Sequence, residues 1–587
     1  MLRSQHPRQR TCVLMSFDKF EDPAKAYDYV RFTTGAVLIA VTALALMVHS
    51  NAVIPANFAW IARYFSIQQD LPLLPVFLLA LIAGPKLSRS SIAISPNIQT
   101  VALITLLLLL ITWAGRWLVF ENYDLARDEQ MANFDAAIFA HGVPFWPIDP
   151  LWRPFAGALN QIFILPIGDY EGWVSSYLPV NAAMRAAVGM VASPTLASPL
   201  LVVVGAIALW RVARRLWPDS GSTQWAVFAC YFGSSQVLVT GMTAYAMSAH
   251  LALNLLWLAL FLRGGRIGHG GAIATGFLAT GIHQPIFHPL LVLPFLEMLR
   301  VQRRWRLLAT YVGCYVVIGL FWLAWPGWVS AHGAMPVPDK VNVEGVNYVQ
   351  RFFRGVQSPT DVSLWIMAAN LLRFATWQHL LLLPLLFLGI RVSGTRDPIA
   401  AALTGGLVLL VMMMTLILPC QGHGWGYRYL HGLIGSACLL AGYGWHWLES
   451  KGYSLRRPMA VATAASLAIL FPAHLVMAHV LVVPFAAVSR EVKSSSADFV
   501  IVDNAMAPFA ADVVLNRADL SNRPIILAGT AIDPVQMAEL CRRGTIAFED
   551  APRLNAINRL FGFPEHSEAS DHQQELRKAA ASAHCSK

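Results

Sequence analysis

Long apolar runs separated by short polar stretches dominate the chain and predict a bundle of membrane-spanning helices. A helix needs about 20 mostly apolar residues to cross the hydrocarbon core of a bilayer, which is about 30 Å thick. About thirteen runs in the sequence reach or approach that length. These runs lie at about 33–52, 70–84, 99–120, 196–216, 224–241, 243–262, 270–283, 285–299, 307–327, 376–391, 398–418, 429–448 and 459–483.

Basic residues between the runs predict the orientation of the helices. With a cytoplasmic N-terminus, the inner segments hold about twice as many Lys and Arg residues as the outer loops before the C-terminal tail. The first 31 residues show no short apolar core followed by a small-residue cleavage site, so we expect the first span to anchor the chain. The pattern therefore predicts a cytoplasmic N-terminus and a C-terminal region outside the cytoplasm.

Two prolines, Pro285 and Pro289, interrupt the apolar stretch 270–299. A single long span here would reverse every later crossing and move the arginine-rich stretch 300–306 outside, against the charge asymmetry. The sequence therefore predicts two short segments that meet at a bend. The bend carries His283 and His288 and would face the outer side, where broken helices are tolerated if they line a watery cavity.

The predicted topology divides the chain into a few large units. We expect a cytoplasmic segment at 1–32 and a transmembrane domain at 33–484. Two large outer loops interrupt that domain at 121–195 and 328–375. All the polar sequence that could form an active site then falls on one side of the membrane.

The tail predicts a small extracytoplasmic α/β domain at 485–565, followed by a disordered polar end at 566–587. The domain has strands predicted at 498–502, 524–527 and 545–548, and helices predicted at 505–515 and 534–543. Cys541 and Cys585 share this tail, so they could form a disulfide, but Cys585 lies in the end that is predicted to be disordered. The sequence leaves that pairing open.

Composition agrees with a polytopic α-helical membrane protein. Hydrophobic residues make up 56% of the chain and charged residues 13%, and the mean hydropathy is +0.53. The formal net charge of +10 would also suit nucleic acid. However, basic residues clustered at the ends of apolar runs are typical of cytoplasmic loops. We therefore expect membrane lipids, and not nucleic acid, among the partners.

An acidic pair, Asp128 and Glu129, follows the run 99–120 and opens a polar stretch, 127–140, whose apolar positions recur at helical spacing. Carboxylates at a helix N-terminus are favoured by about 0.3–1 kcal/mol, so the pair could simply cap a helix. At the membrane boundary the pair could equally perform acid–base chemistry, because partial burial raises a carboxyl pKa toward neutrality. The residues alone leave both interpretations open.

Three stretches carry a resemblance to a known family. Arg127-Asp128-Glu129 with AAIFAHG at 136–142 resembles the first outer loop of GT-C fold, polyprenyl-phosphate-dependent glycosyltransferases, which include protein O-mannosyltransferases and lipid A aminoarabinose transferases. GWVSSYLPVNAA at 172–183 is similar to their W-x-S-x-Y-P-P-G segment, although it departs at 178 and 180–181. GWGYRYL at 424–430 resembles their G-W-G-x-R-Y stretch. The tail segment LNRADLSNRPIIL at 515–527 resembles the outer tail of some bacterial members.

The resemblance implies a GT-C-like membrane glycosyltransferase. Such an enzyme would transfer a sugar, with inversion, from a polyprenyl-phosphate donor to a lipid or glycan acceptor on the outer face of a bacterial inner membrane. Asp128 would accept the proton of the acceptor hydroxyl, and Glu129 would orient Asp128 or the acceptor.

Five further residues are predicted to contact the donor phosphate. Arg428 begins a span and could hold a phosphate bidentately, or it could anchor the helix in an aromatic belt. His283 and His288 could contact the leaving group or hydrogen-bond the bend. Arg351 and Arg354 lie in the loop 328–375, which could order over the donor or form a membrane-surface helix.

A second acidic group, Asp169 and Glu171, lies near Tyr177 in the first outer loop. These residues could bind the acceptor or a divalent metal, or they could belong to a solvated loop. No compact set of metal ligands is recognisable in the sequence, so metal dependence stays open and no cofactor is certain.

The sequence also has features that other classes of membrane protein share with a glycosyltransferase. A lipid or glycan transporter also needs many spans and broken helices, but it would place ionisable groups near mid-membrane and show repeated halves. A non-catalytic GT-C-like scaffold would turn Asp128 away from any outer cavity. An O-antigen polymerase or ligase would be expected to lack the early acidic pair.

Overall fold

The structure is a computed structural model that describes residues 22–50, 56–82, 97–160, 162–334, 361–394 and 396–585. Within these ranges each predicted apolar run overlaps one or two helices. The helices of this region are Pro23–Ala45, Ala56–Phe65, Leu74–Ile82, Ile98–Leu118, Ala197–Leu216, Gly221–Phe232, Ser235–Gly241, Met247–Arg263, Gly265–Thr280, Phe287–Val301, Trp305–Ser330, Asp361–Thr376, Leu382–Ser393, Pro398–Ile417, Ile434–Ser450, Arg456–Ala465 and Phe471–Ser494.

Six helical segments in the described ranges are long and apolar enough to cross a membrane. They are Pro23–His49, Ile98–Leu118, Pro194–Leu216, Trp305–Ser330, Pro398–Ile417 and Arg456–Ser494. A seventh crossing results if Trp60–Asp70 and Leu74–Ile82, bent by 49° at their break, form one span. The count of thirteen spans remains a prediction, because the other helices do not meet the same criteria of length and hydropathy.

The stretch with Pro285 and Pro289 consists of two helices, Gly265–Thr280 and Phe287–Val301, separated by a short bend. The bend also binds the segment 121–195, which is predicted to lie on the outer side and is called the first outer loop below. The backbone N–H of Val180 donates to the carbonyl oxygen of Gly281 at 3.0 Å, and the backbone N–H of Leu178 donates to the carbonyl oxygen of His283 at 3.2 Å. These bonds position the outer loop over the broken helix pair.

The first outer loop is folded around a helix and a small sheet. The helix Arg127–Ala140, here called the acidic helix, follows the crossing Ile98–Leu118 after a short turn. The sheet has the strand Gly172–Ser175 at its centre, paired antiparallel with Trp146–Pro147 and with Ile164–Ile167. The register pairs Ile164 with Ser175, so one end of the hairpin lies beside the acidic helix.

The C-terminal region contains a three-stranded parallel sheet. Phe499–Val502 lies at the centre between Ile525–Ala528 and Ile546–Glu549, within one or two residues of the predicted strands. All four residues of the central strand are buried, which is the usual pattern for a parallel strand covered on both faces. Helices at Pro534–Cys541, Ala551–Phe561 and Asp571–Ser582 complete the region.

Two predictions for this region are wrong. The predicted helix at 505–515 is a short 3-10 helix, Pro508–Val513, and the carbonyl oxygens of Ala511 and Asp512 accept hydrogen bonds from side chains of the first outer loop. The end predicted to be disordered contains the helix Asp571–Ser582. Leu576 and Ala580, four residues apart on one face, are fully buried, and Cys585 is disulfide-bonded to Cys541.

The C-terminal region packs closely on the first outer loop. The indole N–H of Trp173 donates to the carbonyl oxygen of Ala518 at 3.0 Å. The Asn516 side chain donates to the carbonyl oxygen of Leu159, and its backbone N–H donates to the amide oxygen of Asn160 at 3.0 Å. The two regions share one apolar cluster, so the C-terminal sheet is fixed relative to the acidic helix.

The disulfide yields a prediction that also reports on the compartment of the tail. Alkylation without prior reduction should modify the exposed Cys420 and leave Cys541 and Cys585 unmodified in mass spectra of the purified protein. Cys541→Ser should lower the free energy of unfolding by about 2–4 kcal/mol, because the bond closes a long loop in the unfolded chain. Alkylation of both tail cysteines would contradict an oxidising location.

Candidate active site

A cavity of about 480 Å³ lies where helix ends meet the outer loops and the C-terminal region. Its ionisable lining consists of three arginines, three aspartates and one histidine, together with a cysteine thiol. These residues are Asp70, Arg127, Asp128, Arg373, Cys420, His423, Arg428 and Asp512. Most of the remaining wall is apolar.

Asp128 and Arg428 form an ion pair in the cavity wall although they are 300 residues apart. One carboxylate oxygen of Asp128 pairs with the guanidinium, and the other accepts a hydrogen bond from the Tyr177 hydroxyl. Burial alone would raise the pKa of this carboxyl, but the Arg428 charge and the Tyr177 hydroxyl outweigh burial and hold the pKa below its usual value. In this state Asp128 is an anion with both oxygens engaged.

The loop that carries Arg428 is shaped by its glycines and by Arg373. The Arg373 guanidinium donates to the carbonyl oxygens of Gly424 at 2.6 Å and Gly426 at 3.0 Å. Gly426 has a φ of +64°, and a Cβ there would lie 2.5 Å from the Gln236 side chain. Only glycine fits both conditions, so the GWG sequence allows the turn that places Arg428 against Asp128.

Arg373 is itself held by a second buried charge. Its guanidinium lies 3.6 Å from the Asp70 carboxylate and stacks 3.6 Å from the centre of the Phe65 ring. The Thr376 hydroxyl donates to the same carboxylate at 3.0 Å. Sequence reasoning missed this pair. The available signal was an aspartate and an arginine at the ends of helices next to long apolar runs, where ionisable residues are rare and usually paired.

Tyr177 reaches the site because the sheet is fixed to the acidic helix. Asp135, on that helix, accepts a hydrogen bond from the backbone N–H of Ser175 at 2.8 Å and another from the Ser175 hydroxyl. Two residues later, the Tyr177 ring stacks on His283 with centroids 4.2 Å apart. His283 therefore supports the residue that contacts Asp128, and its predicted contact with the leaving group stays a prediction.

His288 is not brought to the cavity. Its ring nitrogens lie 2.7 Å from the Asn254 amide oxygen and 2.8 Å from the Tyr315 hydroxyl. The predicted phosphate contact finds no support in these bonds, because both nitrogens are occupied inside the helix bundle. The alternative that the sequence left open, hydrogen bonding near the bend, fits the position.

Glu129 also points away from the cavity. Its carboxylate is fully buried and accepts hydrogen bonds from the backbone N–H groups of Ala126 at 3.2 Å and Ala244 at 3.3 Å. Burial and the nearby Asp124 carboxylate raise the pKa of Glu129. The two acidic residues therefore have different positions: Asp128 faces the cavity, and Glu129 caps the helix. The predicted contact of Glu129 with Asp128 or with an acceptor in the cavity is not seen.

The other predicted site residues lie elsewhere. Asp169 is exposed and Glu171 accepts from the backbone N–H of Ala334 at 2.7 Å, both at the hairpin end opposite Ser175. Arg351 and Arg354 fall outside the described residues. In the part of the chain that the structure describes, no three His, Cys, Asp or Glu side chains form a group that could hold a metal ion.

The C-terminal region contributes a wall that the sequence did not indicate. Phe509 and Asp512 of the 3-10 helix Pro508–Val513 line the cavity, and Arg127 binds the segment through the carbonyl oxygen of Val514 at 2.9 Å. The contact joins residues almost 400 positions apart, so no local pattern could have revealed it.

Comparison with solved structures gives distant similarities. The chain is similar to ArnT from Cupriavidus metallidurans bound to undecaprenyl phosphate, with a TM-score of 0.42 and 13% identity, covering 83% of this chain and 88% of that chain. It is also similar to the Archaeoglobus fulgidus oligosaccharyltransferase in complex with Zn and sulfate, with a TM-score of 0.42 and 10% identity, covering 70% and 61%. Both belong to the GT-C fold that the motifs resemble. No protein-family model and no curated protein matches the sequence.

The Asp135 contact generates a prediction for stability against pH. Burial outweighs the two bonds from Ser175 and raises the pKa of Asp135 to about 7. The folded protein therefore retains a proton that the unfolded chain releases above pH ~4, so the free energy of unfolding falls as the pH rises between these values. Asp135→Asn preserves the acceptor for the Ser175 N–H but does not titrate.

Denaturant unfolding of both proteins at pH 5 and pH 8 measures the effect. The variant should gain about 2–3 kcal/mol relative to the natural protein between the two pH values, since the folded carboxyl keeps its proton from pH 5 to about pH 7 and each pH unit corresponds to about 1.4 kcal/mol. Ser175→Ala, which leaves the carboxyl in place, should keep the pH dependence. Parallel stability curves for Asp135→Asn and the natural protein would contradict the assignment.

Proposed function

We propose that the protein is a membrane glycosyltransferase that transfers a sugar from a polyprenyl-phosphate donor to an acceptor hydroxyl, with inversion. The observation that carries this proposal is the Asp128–Arg428 pair in a cavity with both apolar and cationic walls. A lipid-linked phosphate offers the two properties that these walls would bind. The proposed site lies on the predicted outer face, where lipid or glycan acceptors of a bacterial envelope are available.

Three arginine side chains of the cavity favour the binding of an anionic ligand. Among the described residues, Arg127, Arg373 and Arg428 each have at least one buried guanidinium nitrogen without a hydrogen-bond partner, and all three line the cavity. Buried donors without partners are costly, and a phosphate provides several acceptor oxygens to bond with them. An anion in the cavity would therefore supply acceptor atoms for these guanidinium nitrogens.

Apolar side chains on another wall of the cavity favour the binding of the lipid part of such a donor. Trp60, Ile61, Phe65 and Ile366 line the cavity beside Arg373, on helices that belong to the membrane region. An isoprenoid chain buried against these side chains gains about 25 cal/mol for each Å² removed from water. The phosphate and its chain would then bind to neighbouring parts of one site.

The ion pair suggests how donor binding activates the base. A phosphate that attracts Arg428 weakens the bond from its guanidinium to Asp128. The carboxylate remains buried, with a relative exposure of 8%, so its pKa rises once the arginine charge is shared. Asp128 thereby becomes a better proton acceptor only when the donor is present.

In the proposed transfer, one bond forms, one bond breaks, and Asp128 takes up the proton that is released. The acceptor oxygen bonds to the anomeric carbon while the bond from that carbon to the phosphate oxygen breaks. The hydroxyl proton moves to Asp128, and polyprenyl phosphate leaves with both electrons of the broken bond. Because the nucleophile and the leaving group lie on opposite faces of the sugar, the configuration inverts. Tyr177 holds the second oxygen of Asp128 and so fixes the direction of the carboxylate.

The rival functions differ in what they require of Asp128. A non-catalytic scaffold has no need for a carboxylate that faces a cavity and pairs with an arginine. A transporter needs a path through the membrane, whereas the charged cavity residues lie at helix ends and in outer loops. Transfer is therefore the function that these observations favour.

Asp128→Asn tests the base directly. The amide keeps the shape and can accept from Tyr177, but it cannot take a proton, so product formation should fall about 100-fold or more. Mass spectrometry of surface glycans from a deletion strain complemented with the variant measures the product. Asp149→Asn, an exposed aspartate of the same outer loop, is the matched control and should complement fully. Near-normal product with Asp128→Asn at equal expression would refute the role.

Arg428→Lys tests the phosphate contact. Lysine keeps the charge but loses the planar fork, so the affinity for a polyprenyl phosphate should fall about 10-fold or more. The shift in melting temperature of the purified protein against polyprenyl phosphate concentration measures this affinity. Arg490→Lys, which changes an exposed ion pair with Glu121, should leave the affinity unchanged. An unaltered affinity in Arg428→Lys would contradict the contact.

A further inference from the structure

The C-terminal region supplies a carboxylate to the cavity, and the way it is held suggests a use. Asp512 lies on the 3-10 helix Pro508–Val513, and its side chain lines the same cavity as Asp128. The side chain retains 12% exposure, so the carboxylate is accessible from the cavity and otherwise buried.

The segment is docked through its backbone and not through this carboxylate. The Tyr123 hydroxyl donates to the carbonyl oxygen of Asp512 at 3.1 Å, and the Gln130 amide donates to the same oxygen at 2.8 Å. Arg127 donates to the carbonyl oxygens of Ala511 and Val514. These four bonds hold the segment, so docking does not require the Asp512 side chain.

The carboxylate itself lacks a direct donor. No described residue donates a hydrogen bond to it; the nearest cationic groups are Arg127 Nε at 3.5 Å and His423 Nε2 at 3.8 Å. Burial and Arg428 lower the pKa of His423 to about 4, so that ring is neutral at pH 7. Burial raises the pKa of Asp512 to about 6; the Arg127 charge opposes this rise and the negative charge of Asp128 adds to it.

A buried carboxylate that accepts no hydrogen bond is unusual in proteins, and the 3.5 Å ion pair with Arg127 compensates only part of the desolvation of Asp512. Asp70 and Asp128, the other two carboxylates of the cavity, each accept a hydrogen bond from a neighbouring hydroxyl. Among these three, only the Asp512 carboxylate accepts no hydrogen bond from a described residue, and a ligand with hydroxyl groups would supply donors to it.

We propose that Asp512 binds the acceptor substrate, by accepting a hydrogen bond from a hydroxyl group of a polyhydroxylated molecule such as a sugar. This inference rests on the proposed function and extends it: the C-terminal region forms part of the acceptor site. Arg127, which both docks the segment and lies next to Asp128 in sequence, keeps the two carboxylates in a fixed relation.

The experiment uses the full-length protein and two readouts. Asp512→Asn replaces the carboxylate with an amide of the same shape, and Asp512→Ala removes it while leaving every backbone bond of the segment. Asp519→Asn, an exposed aspartate of the same region, is the matched control. Binding of a polyprenyl phosphate is followed by the shift in melting temperature, and product by mass spectrometry of surface glycans in a complemented deletion strain.

Both Asp512 variants should bind polyprenyl phosphate within about 2-fold of the natural protein and lower the glycan product about 10-fold or more, since a hydrogen bond to a charged group is worth about 1.5–3 kcal/mol. The sugar-loaded polyprenyl-phosphate lipid should accumulate in the same strains. Product within 2-fold of the natural protein, or an equal loss of polyprenyl phosphate binding, would overturn the inference. Absence of polyprenyl phosphate binding by the natural protein would instead overturn the proposed function, and the inference with it.

Discussion

The cavity depends on one constraint: charges placed in a largely apolar protein must find partners of opposite sign. The Asp128–Arg428 pair satisfies this constraint by joining the first outer loop to a loop 300 residues later. Removing either partner would leave an uncompensated buried charge, which typically costs about 3–5 kcal/mol. The pair therefore stabilises the closed arrangement of the loops in addition to presenting a carboxylate to the cavity.

The residues around this pair act mainly through the backbone. Arg373 holds the carbonyl oxygens of Gly424 and Gly426, and Asp135 holds the N–H of Ser175. Each of these side chains fixes a short stretch of main chain, and the functional side chain follows one or two residues later. Loop segments fixed in this way keep a defined geometry without belonging to a long helix or strand.

Local sequence patterns predicted the local features and missed the long-range ones. The apolar runs, the proline bend and the three strands of the tail follow from periodicity and from turn residues, which act over short distances. Motif resemblance singled out Asp128 and Arg428, which form an ion pair in the cavity wall. Asp512 and the 3-10 helix that carries it were missed, because their conformation depends on donors in the first outer loop. The tail helix was missed because its burial depends on the distant sheet.

The charges in the cavity make the proposed reaction of the acceptor depend on the binding of the donor. Three arginines face three aspartates there, so the protein alone brings no large excess of either sign. A donor phosphate adds negative charge, and at short range in a low-dielectric site this raises the proton affinity of the carboxylates that remain. Asp128 and Asp512 both gain basicity at the moment when a hydroxyl must lose its proton. Without the donor, Arg428 keeps Asp128 a weak base, so deprotonation of an acceptor hydroxyl is favoured only when a sugar is ready to be transferred.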